Sequence, residues 1–86
     1  MSILRFEWDP HKAESNFHKH GITFSEAESV FYDDEHSDDE SRFLMLGFSK
    51  NARLLLICHC YRENDSIIRL ISARKATKRE AKHYHW

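Results

Sequence analysis

Two arginines, Arg69 and Arg74, most clearly ask for a chemical reason. Ile67, Ile68, Leu70 and Ile71 form a run dense in β-branched side chains, the composition of a mostly buried strand. A guanidinium inside such a strand is costly unless it is paired or reaches water. Arg74 and Lys75 stand where the strand should end, and Thr77-x-x-Glu80 is a capping box that opens a helix. Arginine suits phosphate because its planar fork donates two hydrogen bonds at once. A cluster of arginines around a scissile phosphodiester would stabilise the charge that builds on the non-bridging oxygens. His59 could donate a proton to the leaving oxygen, and Tyr61, Tyr84 or Trp86 could stack a base of single-stranded RNA. RNA carries its own nucleophile, the 2′-OH, so this chemistry calls for no metal, no cofactor and no activated serine.

The elements that must position these groups read clearly along the chain. Ile3 to Trp8 alternates in part and is expected to be a first strand. Asp9-Pro10 supplies an N-cap and a proline at the first helical position, and Gly21 a left-handed stop after His20. On this helix Lys12, Asn16 and Lys19 share a face, either a solvated surface or a polar stripe bordering a ligand groove. Ile22-Thr23-x-x-Glu26-Ala27 opens a second, short helix with Phe24, Ala27, Val30 and Phe31 inward. Asp33 to Glu40, with six acids in eight residues, is expected to be a solvated loop, with Glu40 able to turn inward. Strands follow at Arg42–Phe48, Arg53–Tyr61 and Ile67–Ala73, joined by hairpin-length connections, and a last helix starts at Thr77. The expected order is β-α-α-β-β-β-α: an α+β fold with a small, mainly antiparallel sheet and helices on one face. The other face is left open, with Arg69, His59 and Tyr61 on it and Arg42 and Arg74 at its edges.

Composition narrows the class. Eighty-six residues, 41% of them hydrophobic, with two glycines and one proline, fit a single globular domain over residues 1–86. Met1 to Phe6 has no long apolar stretch, and no run approaches the ~18 apolar residues of a membrane span, so neither a secretory leader nor a membrane anchor is expected. Cys58 and Cys60 lie two apart in one strand, with Cα atoms ~6.6 Å apart and parallel Cβ vectors, too poorly placed to bridge. They read as small core residues in a reducing cytoplasm. The seven histidines show no His-x-x-x-His on one helix. The net charge of −1 hides an asymmetry: residues 1–49 carry four Lys/Arg against eleven Asp/Glu, residues 50–86 nine against three. The basic half suits a polyanion.

Phe6-Glu7-Trp8-Asp9, Lys12, Asn16, Lys19-His20-Gly21-Ile22, Phe24 and Glu26-Ala27 resemble the opening of the BrnT family of toxins. Glu40, Arg42, Phe43, Leu46-Gly47, Arg69-Leu70-Ile71-Ser72-Ala73-Arg74, Ala76-Thr77, Glu80 and Tyr84 resemble its second half. The resemblance implies a RelE-like fold and a type II toxin that cleaves RNA and arrests translation. It also implies a BrnA-like antitoxin that binds DNA, and a higher-order toxin–antitoxin complex. The expected catalytic residues are Arg69, Arg74 and His59, and the expected RNA-binding residues are Lys12, Arg42, Tyr61, Lys75, Arg79 and Tyr84. Two other classes stay open: an RNA-binding module that does not cut, and an interaction domain whose arginines pair with the acids of the first half.

Overall fold

The computed structural model describes residues 4–33, 37–39 and 43–84. Its elements are β1 (Phe6–Glu7), α1 (Pro10–His20), α2 (Phe24–Val30), β2 (Ser37–Asp39), β3 (Leu44–Phe48), β4 (Leu54–Arg62), β5 (Ile67–Lys75) and α3 (Lys78–Ala81). They build a five-stranded sheet in the order β1-β5-β4-β3-β2. β1 runs parallel to β5 and the other pairs are antiparallel. The expected α+β order is present, with one strand more than expected. β2 forms from the second half of the acidic run, where a loop is expected, because pairing with β3 satisfies its backbone. The first strand is shorter than expected, and Phe43 stands in a turn at φ 52° ahead of β3.

The caps behave as local chemistry dictates. The Asp9 carboxylate accepts from the His11 N–H at 2.8 Å, and Gly21 sits at φ 71° with its N–H on the Phe17 carbonyl. Thr77 and Glu80 exchange both capping-box bonds. Thr23 and Glu26 complete only half of theirs: the Thr23 hydroxyl accepts from the Glu26 N–H at 3.0 Å, but the carboxylate is engaged elsewhere. It accepts from the Arg53 guanidinium through both oxygens and from the Ser49 hydroxyl at 2.6 Å. This ties α2 to the β3–β4 turn through a carboxylate that is only 2% exposed.

The core lies between the sheet and α1–α2. Phe24, Ala27, Val30 and Phe31 pack on Leu55, Ile57, Ile68, Leu70 and Ala73, with Phe6, Trp8 and Ala13 at the margin. Each such large side chain contributes about 1.5–3 kcal/mol by leaving water. β4 is central, as its two apolar faces suggest. Cys58 and Cys60 are free and half-buried on the face away from this core, which corrects their expected place inside it. The second face is not left open either. Arg74 on that face binds Glu80 of α3, and Tyr84 sets its ring edge-on to Phe48 at 5.0 Å.

Glu26 and Glu80 predict the acid response. Hydrogen bonds from Arg53 and Arg74, respectively, hold each carboxyl at about 2, below the ordinary 4.5. Their stabilisation is therefore complete above pH ~4.5 and is lost as pH falls towards ~2. Urea midpoints should drop over that window, and Glu26→Gln should flatten the drop. A midpoint unchanged between about pH 5 and pH 3 would contradict the assignment.

Candidate functional site

Arg69 and Arg74 are five residues apart, which in a regular strand sends side chains to opposite faces. The register of β4 on β5 shows why they are not opposed. Cys58 pairs with Ser72 but His59 with Leu70, so Ile71 is an extra residue, a β-bulge. Beyond the bulge the parity is reset. Arg69 lies across from Cys60, Ser72 from Cys58 and Arg74 from Leu56, so all three share the face turned away from the core.

Each guanidinium is held by a carboxylate. Arg69 donates from Nη1 to Glu7 at 2.7 Å, bringing β1 and β5 together, and Arg62 also approaches Glu7 at 3.7 Å. Arg74 donates to both oxygens of Glu80 at 2.8 and 2.7 Å and to its neighbour's carbonyl, that of Lys75. The hydrogen bond to Glu80 raises the Arg74 pKa above its ordinary value. The side chains remain 30% and 37% open to solvent. Arginine has five N–H donors. Arg74 thus retains Nε–H and one Nη2–H, and Arg69 retains Nε–H, the second Nη1–H and both Nη2–H. Two oriented cations on one face, with donors to spare, can hold a phosphodiester and stabilise added negative charge.

Beside this row α1 runs along the free edge of β5. Asn16 is buried there and acts as a substitute strand. Its amide accepts from the Ala73 N–H at 3.0 Å and donates to the Ala73 carbonyl at 2.9 Å and the Ile22 carbonyl at 3.0 Å. Above it opens a groove of about 160 Å³, lined by Lys12, Ser15, Asn16, Lys19 and His20 of α1 and by Ile71 and Ser72 of β5. The stripe of Lys12, Asn16 and Lys19 therefore does border a groove, although Asn16 belongs to its floor.

The remaining expected residues divide. Lys75 and Arg79 are exposed close to Arg74 in the chain. Tyr61 is 40% exposed, its ring 6.2 Å from Phe43 and 5.4 Å from His59, but it lies across from the core residue Ile68, so it is on the opposite side of the sheet from Arg69 and not on the arginine face where it is expected. His59 corrects an expectation: it is 3% exposed, on the core side, with its ring 5.0 Å from Phe31. Its alternation in β4 puts it with Leu55 and Ile57, and α2 covers that side, so it does not share the face of Arg69 and Arg74. Tyr84 is also corrected as a stacking platform. It is 8% exposed, and its hydroxyl donates to Asp33 at 2.6 Å while its ring packs on Phe48. Arg42, Glu40 and Trp86 lie outside the described residues. Among those described, no group of three His, Cys, Asp or Glu side chains could hold a metal ion.

Sequence reasoning missed Ser15, His20 and Ser72 as groove residues, and Arg53 as the partner of Glu26. The i, i+4, i+7 stripe on α1 was the available signal for the groove, but no local pattern marks Ser72.

Residues 8–80 match the family model described as ribonuclease toxin, BrnT, of type II toxin-antitoxin system. Among solved structures, the crystal structure of the Brucella abortus ribonuclease toxin BrnT is similar, at 18% identity and a TM-score of 0.68. The match covers 88% of this chain and 100% of that one, and shows a shared fold. A search of curated proteins found no match.

Proposed function

This chain belongs to the BrnT family of type II toxin-antitoxin ribonuclease toxins, and on that premise we propose that it cuts RNA by attack of the substrate's own 2′-OH, without a metal, at a phosphate held by Arg69 and Arg74. The observation that carries the reading is the bulge at Ile71, which brings both arginines to one sheet face with donors left over after Glu7 and Glu80 are served. The 2′-oxygen forms a bond to phosphorus as the bond to the 5′-oxygen breaks. The 2′ proton is lost, the leaving 5′-oxygen gains one, and a 2′,3′-cyclic phosphate remains. Negative charge on the non-bridging oxygens rises on the way, and two fixed guanidiniums stabilise that charge more than the ground state.

Arg79 extends the cationic surface along the RNA backbone, while Lys75 and the exposed ring of Tyr61 lie on the opposite parity of the sheet and meet only RNA that wraps round its edge. Membership of the family implies an antitoxin partner. We take it to be a BrnA-like DNA-binding protein that lays an acidic segment across the arginine face, and the place of action to be the cytoplasm. No described helix is long and apolar enough to cross a membrane.

End analysis of the products tests the chemistry. Cleavage should continue in EDTA and leave 2′,3′-cyclic phosphate or 3′-phosphate ends. Products with 3′-hydroxyl ends, or activity lost in EDTA and restored by a divalent ion, would refute the mechanism.

A further inference from the structure

Several of the described arginines are already paired. Arg53, Arg62, Arg69 and Arg74 each have a carboxylate within 4.0 Å. Lys12 and Lys19, which line the groove between α1 and β5 together with the imidazole of His20, make no ion pair with a described residue. Ser15 and Ser72 add hydroxyls to the same groove. Two ammonium groups, with an imidazole and two hydroxyls as further hydrogen-bonding groups around one concavity, leave positive potential that a bound anion would neutralise.

We infer that this groove is a second phosphate subsite, which takes a backbone phosphate of the RNA next to the one being cut. The inference rests on the RNA-cleaving reading above and extends it to a new set of residues. Ser72 connects the two places: it lines the groove and lies on the arginine face, between Arg69 and Arg74. At ~3.3 Å per residue it is about 10 Å along β5 from Arg69 and about 7 Å from Arg74. A flexible single strand can therefore set one phosphate on the arginines and a neighbouring one in the groove. The lining also argues for RNA over a protein segment. Protein interfaces centre on apolar or aromatic anchors, and Ile71 is the one apolar residue here.

The test uses the free toxin and a 2′-O-methyl RNA, which lacks the attacking hydroxyl, with affinity measured over a range of salt. Lys12→Gln/Lys19→Gln should weaken binding about tenfold and reduce the slope of log K against log salt by ~0.7 for each phosphate that is no longer neutralised. KM for cleavable RNA should rise in step. Ser15→Glu, which puts a negative charge into the groove from an exposed position, should do the same with the native lysines in place. An unchanged slope and affinity in both folded variants would overturn the subsite. So would weakened antitoxin binding with RNA binding intact, which would give the groove to the antitoxin. Wild-type protein that binds RNA but does not cut it would remove the Arg69–Arg74 chemistry, and the salt slope would still decide the groove.

Discussion

Arg69→Ala and Arg74→Ala are each expected to slow RNA cleavage by roughly a hundred- to a thousandfold, because each removes a charge interaction worth about 2.7–4 kcal/mol in the transition state. Stability should change far less. Both arginines are a third open to water, where an ion pair contributes about 1 kcal/mol or less. The rival account is that they only clamp β1 to β5 and β5 to α3. Glu80→Gln separates the two, since it breaks the charged clamp and leaves the guanidinium in place. It should lose less than about tenfold, and so should fall well short of Arg74→Ala. Arg74→Lys keeps the charge but not the fork, and belongs between the alanine variant and wild type. Full activity in soluble Arg69→Ala and Arg74→Ala proteins would remove both residues from the site. Equal losses in Arg74→Ala and Glu80→Gln would assign Arg74 to architecture.

Asn16→Leu is the second large effect, on stability this time. The substitution would strip partners from the Ala73 N–H, the Ala73 carbonyl and the Ile22 carbonyl at once, all in a buried setting. Each buried group left unsatisfied costs about 1–3 kcal/mol, so a total of about 3–5 kcal/mol is expected after local relaxation. A domain of this size has only about 5–15 kcal/mol in all. Urea unfolding measures it directly, and a loss under about 1 kcal/mol would show that water or another group takes over the edge of β5. Asn16→Asp should do little better. Its carboxylate can accept from the Ala73 N–H but then faces two carbonyls that need a donor.

Much of the frame is determined by neighbours in the chain. Asp9-Pro10 and Gly21 bound α1, Thr77 with Glu80 opens α3, and the apolar density of Leu54 to Ile57 marks β4 as central. These are interactions across four residues or fewer, or simple alternation, and a sequence displays them directly. The arginine pair is legible in the same way, because a charge in an apolar strand stands out wherever the strand goes. The remaining features depend on partners far along the chain. Whether Arg69 and Arg74 share a face turns on one extra residue, Ile71, whose bulge exists only in register with Cys58 and His59. Which face of β4 is covered buried His59, and the return of the chain after α3 brought Tyr84 to Phe48 and Asp33. Glu26 reads locally as a cap but pairs with Arg53, because a charged partner 27 residues away binds a buried carboxylate better than a backbone amide does. Strand register and the choice among competing partners are settled by the packed whole, since either alternative satisfies the local rules and only burial makes one of them costly.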